Sequence, residues 1–562
     1  MKTKQPKKIY YADTETTQFD PDHGVRVYLW ACIDDTDDND TVGYDIESFY
    51  NYLKKLDGIV YIHNLKFDWS YLEYYFLKNN IKYKILERKG TIYKVSFGKV
   101  ELRDSFNLLA CSLEDMGKTY CTKYKKTSID YELADWEHQA TPEEVLYCLN
   151  DCRTLREGLT VWRNNLREIL LRNDATETAK TLTKKLTYAG IAFEVFKELS
   201  LYEKLCPKTT KNEYDLLIGS YHGGYVYSKP QGIKENISMI DCNSMYPYIY
   251  IQKELPYGKG RYSQEYDKIK DKDFYIINID ICFGLNKGFI PIIGYGFGRY
   301  GSIDYKENSN GEFVNITICK YDWELVQRYY QFEFNFNWGY WWHTKSNFYK
   351  RYGDIFMSEK KNAKTKVIRT LAKMMLNSPY GKTAMNGLSE LRHYYINEDD
   401  IAVSEVSGFK LDDTQYQYLP QAISITAQAR KHLLTTAEKI GFDKVQYMDT
   451  DSIKFTSDNV DMSQIWVDDK ELGAWKVEGT PTYFKTIAPK KYIIYENGEL
   501  NITCAGFNKK ELVRQMYHGQ PVSNQKARLL IDKFDVGLKL ECLQSKKVKG
   551  GRALLKVWKE IK

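Results

Sequence analysis

Two sets of acidic residues, far apart in the chain, have the spacing that divalent-metal chemistry needs. The first is Asp449-Thr450-Asp451, set between an alternating apolar run from Lys444 and a second run through Phe455. The stretch reads as a hairpin with two carboxylates at its tip. Carboxylates held that close repel, and a divalent cation offsets the repulsion because hard oxygen ligands suit Mg²⁺. An isolated Asp-x-Asp is more often a solvated turn, but here the second set argues otherwise. Asp13 and Glu15 alternate on one face of an expected strand, Lys8 to Thr16. Asp68 follows a second expected strand, Gly58 to His63, where it hands over to a helical stretch from Trp69 to Leu77. Asp151 shares a helix face with Tyr147, and that helix is announced by Thr141-Pro142-Glu143-Glu144. Convergent acids with no matching basic cluster are costly without metal.

The elements that must present these acids can be read in outline. At 562 residues the chain is long enough for two or more domains with sizeable cores. A composition of 43% hydrophobic and 28% charged residues is that of a globular protein. The net charge of +6 does not announce a nucleic-acid protein, yet a positive groove balanced by acids elsewhere, such as the run from Asp34 to Asp40, would be hidden in that sum. Met1 to Lys8 is basic but lacks an apolar signal core, and no apolar run approaches the ~18 residues that span a bilayer. The expectation is a soluble intracellular protein. The 11 cysteines lie scattered without a C-x-x-C pair and read as free thiols of a reducing compartment. Cys148 and Cys152 share a helix face, but without a second pair no zinc site is expected. Some of the 48 tyrosines could stack on bases; their even spread points to a coding bias for most.

From about Leu182 the pattern changes. Tyr221-His222-Gly223-Gly224-Tyr225 places paired glycines where backbone could approach a phosphate, or where the chain merely turns. Ile237 to Asp241 reads as a strand ending in an acid, followed by Cys242-Asn243-Ser244-Met245-Tyr246-Pro247. Between Lys360 and Lys382 helical spacing puts Lys366, Arg369, Lys373 and Asn377 on one face and Val367, Leu371, Met374 and Met375 on the other, until Pro379 stops the helix. A surface helix accounts for the apolar stripe but not for the cationic one that leads into Asn377-Ser378-Pro379-Tyr380-Gly381-Lys382. Ile425-Thr426-Ala427-Gln428-Ala429-Arg430 opens a further helix. Beyond Cys504 the chain turns basic through Lys546-Lys547-Val548-Lys549-Gly550-Gly551-Arg552, which suits tracking a duplex by charge.

Together these motifs resemble the family B DNA polymerases with a DEDDy 3′→5′ exonuclease. Asp13-Thr14-Glu15, Asn64-Leu65-Lys66-Phe67-Asp68 and Tyr147-Cys148-Leu149-Asn150-Asp151 stand in the order of the three nuclease motifs. Asp241 to Pro247 matches motif A, Lys373 to Gly381 matches motif B, and the hairpin matches motif C. Tyr221 to Tyr225 and Lys490-Lys491-Tyr492 resemble the Tyr-x-Gly-Gly and Lys-x-Tyr elements. The resemblance implies an α/β and α+β multidomain fold, with an RNase H-like nuclease domain and a right-hand polymerase of palm, fingers and thumb. It implies one catalytic and metal-ligating set in Asp13, Glu15, Asp68 and Asp151, with Tyr147 orienting water and Lys126 as a catalytic-site lysine. Asp241, Asp449 and Asp451 form the other. Each site would hold two Mg²⁺ (or Mn²⁺), with dNTPs as substrates. Tyr246, Lys361, Lys373, Asn377 and Tyr380 would meet the nucleotide, Tyr246 filling the space of a 2′-hydroxyl. Thr16, His63, Asn64, Phe67, Ser105 and Phe106 would hold a frayed single strand. Tyr221, Gly223, Gly224, Ser244, Gly381, Thr426, Arg430, Lys490 and Tyr492 would meet template or primer.

The first nuclease motif begins at Asp13, which leaves no room for the N-terminal domain of cellular enzymes, and long insertions separate the later motifs. This layout resembles the protein-primed family B polymerases of tailed bacteriophages over nearly the whole chain. It implies a nuclease domain at 1–180, a palm at 181–255 and 419–503, a first insertion at 256–345 that contacts the terminal protein, fingers at 346–385, a second insertion at 386–418 for processivity and strand displacement, and a thumb at 504–562. The implied partners are template and primer DNA and a terminal protein whose hydroxyl starts the strand. The implied setting is a monomer, away from membranes, in the cytoplasm of an infected bacterial host. A nucleic-acid-primed polymerase of the same family stays open. A non-catalytic scaffold and a nuclease alone do not fit seven intact acidic positions beside motifs A, B and C.

Overall fold

The computed structural model describes residues 7–36, 40–129, 134–294 and 305–561; part of the acidic run, 37–39, and most of the basic start lie outside them. The first unit is a 7-stranded sheet with Gly58–Ile62 at its middle, parallel to Lys8–Thr16 on one side and to Val100–Asp104 on the other, and Lys8–Thr16 is in turn antiparallel to Val27–Asp34. Val27–Asp34 and Gly58–Ile62 are apolar nearly throughout because both faces are covered. Helix Pro142–Arg172 packs on the face that includes Tyr11 and Ala31, and helices Ile46–Leu53 and Leu65–Lys78 pack on the other. The long helix starts at the expected capping box: Thr141 accepts from the Glu144 N–H, and the Glu144 carboxylate accepts from the Thr141 N–H. Leu65–Lys78 begins earlier than the sequence suggests, so Asp68 sits inside its first turn, where the helix's free N–H groups favour an anion.

The second unit is a 5-stranded antiparallel sheet in the order Trp475–Gly479, Ile237–Cys242, Ser452–Thr456, Val445–Asp449, Val226–Ser228. One core runs from Trp162 of the long helix through Tyr188, Phe196 and Tyr250 to Leu434 and Met448 behind this sheet. Packed side chains, not a linker, therefore set how the two sheets sit. Two helices, Lys350–Lys361 and Lys366–Asn377, form a hairpin. The sequence suggested a single helix there; Thr365, capping the second helix through its hydroxyl, divides it. Residues within the expected first insertion form the 4-stranded sheet Leu255–Ser263, Tyr330–Lys345, Phe274–Leu285, Val314–Cys319, and the expected second insertion is the hairpin Leu388–Ile396 and Ala402–Leu411.

Near the C-terminus the packing differs from the expected division at 503. Strands Lys491–Glu496 and Glu499–Cys504 share a core with helices Lys509–Tyr517 and Asn524–Lys533 through Ile493, Ile502, Leu512 and Ile531. The last hairpin, Lys539–Val548 and Gly551–Glu560, returns to the first unit. Gly550, at φ 86, lies where a Cβ would stand 2.0 Å from the Val25 carbonyl oxygen, and a Cβ on Gly551 would stand 2.4 Å from the Tyr71 ring. Lys547 pairs with buried Glu73 at 2.8 Å. The glycine pair and Lys547, read from sequence as a duplex-tracking run, are thus used in docking. No helix among the described residues is long and apolar enough to cross a membrane.

Candidate active sites

In the palm sheet Asp241 stands opposite Ser452, and Ser452 stands opposite Asp449. One row across three neighbouring strands therefore turns both acids to the same face. Thr450, at φ 58, turns the hairpin tip, and the Cys242 N–H donates to the Asp451 carbonyl at 2.7 Å, which ties the two motifs together. Thr450 is seated on Gly224, where a Cβ would lie 2.3 Å from its hydroxyl. Gly224 thus makes room for the turn that carries Asp449 and Asp451. Half-buried Tyr221 lies just before it, and Gly223, together with His222, presents a carbonyl to Arg430 at 2.9 and 2.6 Å.

Burial, followed by the nearby charges of Asp451 and Glu478, pushes the Asp241 carboxyl up to about 7, and burial with Asp449 raises Asp451. Lys490 reaches Asp449 at 2.9 Å, and the Tyr447 hydroxyl donates to Asp449 at 3.3 Å. Lys454 is buried beside the acids, with its ammonium 5.1 Å from the Tyr447 ring and 4.9 Å from the Tyr492 ring. Sequence reasoning missed Glu478 and Lys454, because a single Glu or Lys within a strand carries no spacing signal. A row of carboxylates that cannot all ionise unaided fits a divalent cation by the chemistry of its donors.

Tyr246 stacks on Tyr380, ring centres 4.2 Å apart, just after Ser244 turns the chain at φ 56. Lys373 and Asn377 are exposed on the second helix of the hairpin, and the Lys373 charge acts on Asp241. The helix break places Lys361 and Lys373 on different helices. Lys361 is exposed at the end of the first helix, whereas Lys360 is the lysine whose ammonium is disfavoured by burial and by Lys373 and Arg369. Gly381 is exposed, with nothing near a notional Cβ.

Two expected template contacts are corrected as well. Thr426 is buried and its hydroxyl donates to the Ala422 carbonyl at 3.1 Å. Arg430 is buried, held by both carboxylate oxygens of Asp322 and by the His222 and Gly223 carbonyls. Arg430 positions the Gly-Gly element that carries the hairpin tip. Arg430→Ala should therefore destabilise the fold by about 3–5 kcal/mol, because Asp322 is left buried and unpaired; urea unfolding measures it, and a variant of wild-type stability with weakened DNA binding would restore the template reading.

In the first unit the chain brings Asp13, Glu15, Asp68, Asp151, Lys126 and Tyr147 together. Thr14 donates to Asp68 at 2.7 Å, and the Lys126 ammonium lies 2.5 Å from Asp151 Oδ2 and 4.9 Å from the Tyr147 ring. Burial, then Asp151 and Glu15, pushes Asp13 far above the carboxylate range. Burial and Asp151 push Glu15 to about 8, and burial carries Asp68 to about 7 against the Thr14 hydrogen bond. Asp151 Oδ1 is buried and accepts no hydrogen bond among the described residues. A buried anionic oxygen without a donor, amid like charges, fits a cation.

Thr16, Asn64, Phe67 and Phe106 line a cavity of about 760 Å³ over these acids, and Arg552 and Leu554 of the C-terminal hairpin close one side. Ser105 departs from the expectation, whereas His63 is half-buried and lines the same cavity. Ser105 is fully buried, and His63 bonds it through Nδ1 at 2.9 Å and the Cys111 carbonyl through Nε2 at 3.0 Å, so the pair braces the wall. Asp104, unseen in the sequence, accepts from the N–H groups of Asn64 and Phe106 at 3.0 and 2.9 Å and fixes both lips of the cavity.

Raised carboxylates give the metal-free protein a characteristic pH response. With Asp241 and Asp68 at about 7 and Glu15 at about 8, the native state holds more protons than the unfolded chain above about pH 4. The stability from these groups is complete below that pH and is lost as pH rises through 7 to 8. His63, held near 4 by burial, works in the opposite sense only below about pH 6.5. The melting temperature in chelator should therefore fall between about pH 6.5 and 8.5, and Mg²⁺ should flatten that fall; a rise would contradict the assigned shifts.

An open antiparallel sheet with one acid row, a helical hairpin turning lysines toward it, and a second acid cluster on a separate mixed sheet together define a polymerase. The family model "DNA polymerase type B, organellar and viral" matches residues 50–143 and 135–471, and the chain belongs to that family. It is a DNA-directed DNA polymerase. The DNA polymerase of Bacillus phage B103 is 28% identical over 521 residues, covering 87% of each chain, and that of Streptococcus phage Cp-1 is 25% identical over 575 residues, covering 96% of each. The phi29 DNA polymerase in complex with primer-template DNA and incoming nucleotide has the same fold, with a TM-score of 0.85 at 24% identity, over 99% of this chain and 100% of that one.

Proposed function

We propose that this chain copies a linear phage-type genome by protein-primed initiation, proofreads with its 3′→5′ exonuclease centre and displaces the strand ahead. The observation that carries the synthetic reading is the row Asp241, Ser452, Asp449 beside Asp451, with Tyr246, Tyr380 and Lys373 gathered around it. Pairs of Mg²⁺ or Mn²⁺ ions held by Asp241, Asp449 and Asp451, and by Asp13, Glu15, Asp68 and Asp151, would supply charge neutralisation and a more acidic attacking hydroxyl or water. Tyr246 and Tyr380 offer a stacked floor for the nucleotide, where Tyr246 excludes a 2′-hydroxyl. Lys373 and Lys361, with Lys360 and Arg369 close by, offset charge on the triphosphate and the departing pyrophosphate. Lys490 and Tyr492 stand beside Asp449 and Lys454, where a primer end must lie. At the second centre Tyr147 and Lys126 orient the attacking water, and Asn64, Phe67 and Phe106 hold the unpaired strand.

The expected partners are template and primer DNA and a terminal protein that contacts the sheet within 256–345; the hairpin within 386–418 would encircle DNA. The enzyme would act as a monomer in the cytoplasm of an infected bacterial host. Relatedness to the phage enzymes favours protein priming over a nucleic-acid primer. Incubation with the terminal protein, labelled dATP and Mg²⁺ without any primer should label the protein. Label that appears only when an oligonucleotide primer is added would establish the alternative.

A further inference from the structure

We propose that Cys148 makes the nuclease centre a site for thiophilic divalent ions, with Zn²⁺ held by the Cys148 sulfur and carboxylate oxygens of Asp13 and Glu15. These three ligand atoms lie within 4.8 Å of one another, which admits one ion at Zn–O and Zn–S lengths of about 2.0–2.3 Å. The arrangement follows from helix geometry. Cys148 and Asp151 are three residues apart on Pro142–Arg172, so the turn that presents the acid presents the thiol on the same face. The sulfur makes one weak contact there, to the Asp13 carbonyl at 3.6 Å. Independently, Asp151 Oδ1, on a side chain only 3% exposed, makes no geometric hydrogen bond among the described residues, and its charge acts on both Asp13 and Glu15, so a further oxygen stands near the three ligands. Cys152, one turn on, is not part of the site, because its sulfur faces the Ala31 carbonyl at 3.6 Å.

Mg²⁺ is a hard ion and leaves sulfur aside, so Cys148 stands by when Mg²⁺ is bound. Zn²⁺ and Cd²⁺ accept thiolate and carboxylate together. On binding, one sulfur–metal and two oxygen–metal bonds form as water leaves the ion, the thiol proton and any protons on the two carboxyls go to solvent, and no electron is transferred. At the palm centre Cys242, the neighbour of Asp241, donates its thiol hydrogen to the Gly473 carbonyl at 3.4 Å, and among the described residues the acids there offer oxygen. Low Zn²⁺ would therefore occupy the nuclease centre first, lowering proofreading while synthesis continues. This rests on reading that centre as metal-dependent.

The test titrates Cd²⁺ into the metal-free full-length protein and follows the ultraviolet charge-transfer band of a thiolate–cadmium bond in wild type, Cys148→Ser, Glu15→Gln and Asp451→Asn. Wild type and Asp451→Asn should both show a tight band-forming equivalent that Cys148→Ser lacks, and Glu15→Gln should bind at least about tenfold more weakly. A Cys148→Ser titration that matches wild type, or no band in wild type, overturns the proposal. Should Cys148→Ser fail to fold by circular dichroism, Glu15→Gln decides: equal affinity to wild type overturns it and weaker affinity upholds it. Mg²⁺-dependent degradation of a single-stranded 3′ end, measured in parallel on wild type, separates the two readings. Degradation without the band sinks the thiol site alone, and the band without degradation sinks the nuclease reading while leaving the thiol site standing.

Discussion

Asp451→Ala and Asp449→Ala should each lower the rate of nucleotide addition at least about 10³-fold, since a bound ion contributes several kcal/mol of transition-state stabilisation and each 1.36 kcal/mol is tenfold in rate. Degradation of a single-stranded 3′ end should continue. The two substitutions should differ in one respect. Asp451 is half-buried near Asp449 and Glu478 and carries a raised pKa, so its removal relieves repulsion, and the metal-free variant should melt no lower than wild type. Asp449 is engaged by Lys490 and Tyr447, so its removal also frees a lysine at the edge of the site. Primer extension and exonuclease assays on the same preparations, with melting curves in chelator, measure all of this. Retention of synthesis by Asp451→Ala would remove the hairpin tip from the chemistry.

What could be read from the sequence was whatever has a short-range spacing rule. The capping box at Thr141 to Glu144 lies within one helical turn, the hairpin around Asp449-Thr450-Asp451 within a dozen residues, and the alternation that pairs Asp13 with Glu15 within three. Side chains whose fate depends on distant partners were not legible. Arg430 carries a charge that suits a phosphate, but its partner Asp322 lies 108 positions away in another element. Lys547 sits in a run of basic residues, yet its partner Glu73 belongs to helix Leu65–Lys78 of the first unit. Ser105 belongs to a motif-like stretch and is nonetheless turned inward, its hydroxyl donating to the Ile62 carbonyl at 3.2 Å. Gly550 and Gly551 show a different limit. A glycine pair marks a place where the backbone must come close to something, and only the packing tells that this is Val25 and Tyr71.

Asp13→Ala and Asp68→Ala should have the reverse effect, a loss of at least about 10³-fold in 3′-end degradation with nucleotide addition retained. The separation has a structural cause. Asp13 stands on the strand beside the central one of a mixed sheet, and Asp241 and the turn that holds Asp451 belong to an antiparallel sheet elsewhere, the two joined through buried rings such as Trp162, Tyr188 and Phe196. Removing a carboxylate from one cluster withdraws like charge from its own neighbours and leaves that aromatic core unchanged, so no strain passes to the other centre. Asp68→Ala also deprives the Thr14 hydroxyl of its acceptor, a cost of about 1 kcal/mol in stability that leaves the fold intact. Misincorporation should rise in both variants, because a mispaired end that reaches the cavity between Phe106 and Leu554 is no longer removed. Simultaneous loss of synthesis in a variant that melts like wild type would mean that one centre serves both reactions.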